Sequence, residues 1–232
     1  MDSVLAIAEA NISGKLEQLS AISNNIANVN TTGYRSKLVV EAPFESAVAA
    51  VGGGSVPSTE THVDLSVGSM RETGRSLDIA LSGSGFFQLE SPMGDMLTRN
   101  GQFDISEDGR LVGINGWPVK VDGQMEPFTR DIQIAKDGHI YSKGKEVGRI
   151  ELADANENSL VEFNSGVFKP KGNVTLGGEQ QLLQSHLEGS NVDLLSETTR
   201  MMMALRSVEA TQKLVHSYDS LLDTAITTLG EF

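Results

Sequence analysis

From Ser3 to Val29 the apolar residues Leu5, Ala8, Ile12, Leu16, Leu19, Ile22, Ile26 and Val29 fall at steps of three and four, so they share one face of an α-helix. Gly14 alone weakens that helix, and at about 1.5 Å per residue it would run about 40 Å. Asn30-Thr31-Thr32-Gly33 follows as a stop, because glycine after a helix takes the left-handed conformation that other residues resist. The same texture returns at the other end, where Ser190 to Leu229 contains neither Gly nor Pro and Leu194, Met201, Val208, Val215, Leu222 and Leu229 recur every seven residues. Leu5, Ile12, Leu19 and Ile26 obey the same rule. A sustained seven-residue apolar repeat predicts a left-handed coiled-coil seam. The companion positions are weaker: Lys15 interrupts one seam, and Glu197 and Thr211 interrupt the other.

Between the helical ends the pattern changes twice. Periodicity fades from Tyr34 to Val67, and Ser46 to Thr59 carries no charge, three adjacent glycines and a proline, the composition of an extended connector. From Gly68 to Leu176 the texture is β. Leu77, Ile79 and Leu81 alternate with Asp78 and Ala80, Trp117, Val119 and Val121 with Pro118 and Lys120, and Ile132 and Ile134 flank Gln133. Turn dipeptides punctuate these runs at Asn100-Gly101, Asp108-Gly109, Asn115-Gly116, Asp122-Gly123 and Asp137-Gly138, where Asn/Asp-Gly accepts the positive φ of tight hairpins. The first four are too closely spaced for βαβ units, so antiparallel pairing is expected.

The predicted fold class is therefore α+β: an antiparallel β-rich central domain, 68–176, flanked by N- and C-terminal amphipathic coiled-coil helices, 1–33 and 190–232. An extended connector, 34–67, leads in and a return connector, 177–189, leads back. The two end helices have to bury their stripes, either against each other in a parallel or antiparallel pair, or together against other subunits. Small and polar companions and few complementary charges favour the second arrangement.

Composition narrows the function. The 31 acidic against 18 basic side chains give a net charge of -13, and no basic stripe exists to displace counterions from a phosphate backbone or to meet anionic lipid. Nucleic-acid binding and membrane attachment are not expected. The absence of cysteine removes disulfides, a thiol nucleophile and thiolate metal sites. The start, with Asp2 and an apolar pattern broken by Glu9, Asn11 and Lys15, lacks the form of a cleaved signal peptide, and no segment has the ~18 consecutive apolar residues of a membrane span. His62, His139, His186 and His216 are scattered and Gly83-Ser84-Gly85 lacks a P-loop lysine, so no metal, cofactor or catalytic site is assigned and no enzyme is expected.

Ser23-Asn-Asn-Ile-Ala-Asn-Val-Asn-Thr-Thr-Gly-Tyr-Arg35, directly after the first helix, closely resembles the signature of flagellar basal-body rod and hook proteins. Thr73-Gly-Arg-Ser-Leu-Asp-Ile-Ala-Leu-Ser-Gly-Ser-Gly-Phe-Phe87, Leu97-Thr-Arg-Asn-Gly-Gln-Phe103 and Asp108-Gly-Arg-Leu-Val112 resemble their β domain, and Leu187-Glu-Gly-Ser-Asn-Val-Asp193 their C-terminal signature. The resemblance implies an axial subunit whose end helices form the inner coiled-coil tube of a helical assembly, with the β domain outside. It also implies other rod subunits and the flagellar export apparatus as partners, passage through that apparatus without a cleaved signal peptide, and residence in the periplasm-spanning rod. The short chain, with one β domain, resembles rod proteins more than hook proteins, and the runs Thr73–Phe87 and Arg206-Ser-Val-Glu-Ala-Thr-Gln-Lys213 resemble proximal-rod members, with distal-rod ones as the alternative.

On that reading the seam residues, with Ile22 and Leu205, are expected at the assembly interface. Asn24, Asn25 and Asn28, beside the seam, would bond a neighbouring subunit's backbone, although a solvated helix surface fits an Asn cluster too. Thr31, Gly33 and Tyr34 would shape the exit from the tube, or simply stop the helix. Asn191, Val192 and Asp193 carry the C-terminal signature. A secreted binding module or adhesin would share the β domain and the acidic surface, but has no need of matched heptads at both ends.

Overall fold

The computed structural model describes residues 2–40, 60–123, 127–128, 132–156, 159–164, 166–172, 175–177 and 180–230. The uncharged stretch Ser46–Thr59 falls outside them. The described residues divide into two compact units. One, the helical unit, holds 2–26, 37–40, 60–62 and 193–230, and the other, the β unit, holds 27–36 and 63–192. This is an α+β chain with an antiparallel β-rich middle between helical ends.

In the helical unit, α1 runs Asp2–Ala27 and α2 runs Leu194–Gly230. They are antiparallel: Asn25 bonds Glu197 and Thr211 bonds Asn11, so advancing along one helix retreats along the other. Asp193 caps α2, its Oδ1 accepting from the Leu195 N–H at 3.1 Å, the geometry that satisfies one of the four orphan donors of a helix start. Lys37–Val40 pairs with Glu60–Val63, so part of the expected connector is strand. Four-residue runs such as Lys-Leu-Val-Val are too short for periodicity to reveal.

The β unit is built on a six-stranded sheet ordered Leu160–Asn164, Val167–Pro170, Gly94–Thr98, Phe86–Ser91, Leu152–Asp154, Thr175–Leu176. A four-stranded sheet follows the order Ile132–Ile134, His139–Ser142, Lys145–Ile150, Val121–Asp122. The described registers in both are antiparallel. Side chains alternate across a strand, and here each face meets a separate core. Phe87, Leu89, Met96 and Val167 join the larger cluster with Ile79, Phe103 and Ile140, while Phe86, Leu97, Ala153, Leu160 and Phe168 form the smaller one. A sheet covered on both faces explains why Phe86-Phe87-Gln88-Leu89 is buried throughout. Asp78 and Ala80, which the alternation would send to solvent, are also buried with Leu77 and Ile79.

Residues 177–189, expected as a connector, carry two strands. Gln181–Gln184 pairs with Ile79–Ser82 and His186–Glu188 with Met70–Glu72. Of the Asn/Asp-Gly dipeptides, Asp108-Gly109, Asn115-Gly116, Asp122-Gly123 and Asp137-Gly138 turn the chain with positive φ at the glycine. Asn100-Gly101 does not. Gly101 has an ordinary φ, and its place is explained by close approach, since a Cβ there would fall on the Ile79 carbonyl oxygen while its own carbonyl accepts from the Ile79 N–H at 2.9 Å.

Gly101→Ala therefore forces backbone apart inside the larger core and should cost about 3 kcal/mol, the upper range for overpacking. Gly172→Ala, which meets nothing within 4 Å, should stay within about 0.5 kcal/mol of wild type. Urea unfolding followed by the fluorescence of Trp117, the single tryptophan, reads both.

Candidate functional site

The two end motifs supply buried polar side chains that are spent on long-range contacts. In the helical unit Asn25 is 0% exposed. Its Nδ2 donates to the Lys37 carbonyl at 2.9 Å and its Oδ1 accepts from the Lys37 N–H at 2.8 Å. One amide thus presents a donor and an acceptor side by side, as a neighbouring strand would. Nδ2 also reaches Glu197 Oε2 at 3.3 Å, and the other Glu197 oxygen accepts from Arg200 at 2.9 Å. Expected as a contact to another subunit, Asn25 is committed within its own chain. Asn24 donates to the Ser20 carbonyl, and in the β unit Asn28 accepts from the Thr31 hydroxyl.

The predicted seam residues of the helical unit are covered to different degrees. Ile22 is buried, while Ile12, Leu19, Ile26, Met201, Val208, Val215 and Leu222 are half-buried. Leu194 and Leu205 are exposed. Leu5 and Leu229 lie in α1 and α2 but outside the residues whose side chains are described.

In the β unit the end of the first motif meets the start of the last. Glu188 is enclosed, with Arg35 bonding its Oε1 at 2.6 Å and Arg99 its Oε2 at 3.1 Å; none of the three side chains is more than 2% exposed. The Gly68 N–H donates to the same Oε1 at 2.9 Å, and the Gly33 N–H to the Glu188 carbonyl at 2.8 Å. Gly33 sits at φ +68, as a helix stop would, but a Cβ there would also strike the backbone joining Arg99 and Asn100. Arg99 reaches the Gly83 carbonyl at 2.6 Å and lies over the Phe86 ring. Burial pushes its pKa down to about 10, opposed by the Glu188 charge and assisted by that of Arg35, so the Arg99 guanidinium stays charged at neutral pH.

Beside this ion triad Tyr34 is buried and Asn191 ties three segments together. Asn191 Oδ1 accepts from the Ser36 N–H at 2.7 Å, its Nδ2 donates to the Asp64 and Ser66 carbonyls, and its N–H meets the Tyr34 carbonyl. Val192 is half-buried and donates its N–H to Ser190 Oγ. Tyr34, Arg35, Arg99 and Glu188 are closed to solvent. Among the described residues no group of three His, Cys, Asp or Glu is placed to hold a metal ion. The chemistry available is the fixing of one chain segment on another.

Arg35, Arg99 and Glu188 each lie inside one of the family-like motifs, with no local pattern that assigns them a task. The signal was there: each is a charged residue in a run otherwise almost free of charge, and a charge retained inside an apolar or amide-rich run asks for a partner.

Three family descriptions match the chain: "Flagella basal body rod protein" over residues 15–35, "Flagellar hook protein FlgE/F/G D1 domain" over 80–142, and "Flagellar basal body rod FlgEFG protein C-terminal" over 183–228. A flagellar basal-body rod protein FlgF of Mesorhizobium japonicum is 34% identical over 224 residues, with 92% of each chain covered. The chain belongs to the flagellar basal-body rod protein family. Another FlgF, from Rhizobium meliloti, is 28% identical with 92% of each chain covered, and an FlgG of Agrobacterium fabrum is 29% identical over 94% of this chain and 95% of its own. Each member of the ion triad lies in a different one of the three matched segments: Arg35 in the first, Arg99 in the second, Glu188 in the third. The rod-family segments are thus joined through a single carboxylate.

Glu188→Gln keeps the shape and removes the charge, leaving two buried guanidinium groups without a counter-ion. The β unit should lose about 3–5 kcal/mol. Arg35→Met together with Arg99→Met on the Glu188→Gln background should recover part of that loss, because it removes the uncompensated charges. Urea unfolding by Trp117 fluorescence tests both. A Glu188→Gln chain as stable as wild type would mean that the triad is not a stability determinant.

Proposed function

We propose that this chain is a structural subunit of the proximal part of the flagellar rod, which assembles with itself and with related axial subunits through α1 and α2. Membership of the basal-body rod family makes it a structural protein, not an enzyme. On this reading residues 1–33 and 190–232 form the inner axial domain, 34–67 and 177–189 lead out and back, and the β-rich residues 68–176 lie outside. The heptads Leu5, Ile12, Leu19, Ile26 and Leu194, Met201, Val208, Val215, Leu222, Leu229 form coiled-coil seams, with Ile22, Leu205, Asn24 and Asn28 at the flanks. The assembled rod transmits torque and surrounds the export channel. Subunits reach it through the flagellar export apparatus without a cleaved signal peptide. Among the described residues no helix is long and apolar enough to cross a membrane.

The observation that carries this reading is the distribution of uncovered apolar surface. Among the described residues, eleven of the sixteen exposed large hydrophobic side chains belong to the helical unit, eight of them on α2 from Leu194 to Ile226. Apolar surface concentrated on one element marks an interaction face. Proximal placement rests on the likeness to relatives named FlgF. A second reading, a distal-rod subunit, draws on relatives named FlgG that match over almost the same length; the run Leu205–Lys213 departs from the distal pattern.

Electron micrographs of basal bodies from a deletion strain separate the two readings. Loss of everything beyond the proximal rod is expected, and a rod truncated further out would favour the distal position. Val208→Asp and Ile26→Asp should leave the β unit folded by Trp117 fluorescence yet abolish incorporation into basal bodies, because an unpaired charge in a packed seam costs several kcal/mol. Normal motility in either variant would overturn the seam assignment.

A further inference from the structure

Two positions of the β unit carry an asparagine followed by a glycine, Asn100-Gly101 and Asn115-Gly116. In such a pair the backbone nitrogen of the glycine can attack the side-chain carbonyl carbon of the asparagine, because no Cβ on the second residue stands in the way. The bond from that carbon to the amide nitrogen breaks and ammonia leaves. The five-membered imide that remains is opened by water at either carbonyl, giving aspartate or, with one more backbone atom, isoaspartate. The step needs freedom of the main chain, since the peptide joining the two residues has to rotate until its nitrogen faces the side chain. Composition makes the two sites equal, and the structure separates them.

Asn100-Gly101 is clamped. The Asn100 N–H donates to Thr98 Oγ1 at 3.0 Å, and Asn100 Oδ1 accepts from the Gln102 N–H at 2.9 Å. Gly101 is buried, its carbonyl accepts from the Ile79 N–H at 2.9 Å, and its Cβ position is filled by the Ile79 carbonyl. Asn115-Gly116 is open. Both residues are exposed, with φ 63 and 72, and nothing lies within 4 Å of where a Gly116 Cβ would stand. Inside this turn the Gly116 N–H meets the Gly113 carbonyl at 3.1 Å and the Trp117 N–H meets the Ile114 carbonyl at 3.4 Å. Bonds at an exposed loop tip are among the first to open. We propose that Asn115 is a site of spontaneous covalent modification, deamidating to aspartate and isoaspartate in the folded β unit, while the fold protects Asn100. Water is the only co-reactant. Each event adds a negative charge to a chain already at -13. Isoaspartate also lengthens the turn just before Trp117, whose ring packs on Phe163 at 6.2 Å.

Trypsin cuts after Arg99, Arg110 and Lys120, so the fragments Asn100–Arg110 and Leu111–Lys120 carry one Asn-Gly pair each. The full chain is aged at mildly alkaline pH and sampled over time, and the mass gain of an amide turned carboxyl is followed in both fragments. Asn115 should convert about tenfold faster than Asn100, the ratio that about 1.4 kcal/mol of extra opening cost produces. In guanidinium chloride the clamp is gone, and the two rates should become alike. In an Asn115→Gln chain, where the ring would need six members, the fragment 111–120 should show no gain. Equal rates in the folded chain, or an Asn115 that converts only after unfolding, overturn the proposal. A preference for Asn115 that persists in guanidinium chloride overturns it too, because the flanking residues and not the fold would then be its cause.

Discussion

The carboxylate of Glu188, held between the guanidinium groups of Arg35 and Arg99, is the constraint on which the β unit depends. Burying three charges is costly, and attraction between them offsets that cost only when the geometry is good and the remaining lone pairs are used. Here the Gly68 N–H takes one of those lone pairs and the Gly83 carbonyl takes an Arg99 donor. The cost of leaving any one ion alone fixes the other two. Because they come from positions 35, 99 and 188, the arrangement forms only when three distant stretches of chain are in register. Gly33 belongs to the same constraint, since a side chain there would hold Arg35 away from the backbone at Arg99.

Asn25 plays a comparable part in the helical unit. Fully buried apolar side chains are few there: Ala21, Ile22 and Ala204 among the described residues. So little burial specifies neither register nor strand attachment, whereas an amide that satisfies both backbone groups of Lys37 and touches Glu197 admits one arrangement. Replacing it would strand a buried donor and acceptor together, and the penalty for unmade bonds exceeds the gain from making them. In both units the motif residues that specify structure are polar and the apolar residues around them are permissive.

The periodicities were legible in the sequence where they were long. α1 and α2 fall within a few residues of the stretches read from steps of three, four and seven, and four of the five Asn/Asp-Gly dipeptides turn at a positive-φ glycine. The short strands at 37–40, 181–184 and 186–188 were not, because pairing of a three- or four-residue run is decided by its partner and leaves no repeat to read. Asn100-Gly101 misled for a similar reason, as the dipeptide has the composition of a turn while the glycine answers a backbone 22 residues earlier in the chain, at Ile79. The ion triad was invisible as a unit, since charge complementarity across 89 and 153 positions has no local signature. Only the isolation of each charge within its motif marked it.

The contrast between the units bears on how the rod protein divides its labour. Period-two alternation in the strands of the six-stranded sheet sends Phe86 to one core and Phe87 to another, so the sheet is sealed on both faces by the chain's own side chains. In the helical unit the half-buried row Met201, Val208, Val215 and Leu222 has exposed apolar neighbours at Met202, Met203, Leu214 and Leu221, so α2 offers apolar contact on more than the face it turns to α1. A helix apolar on more than one side is suited to burial among several neighbours. The acidic surface then opposes premature association, because like-charged chains repel at long range while apolar contact acts only once surfaces meet.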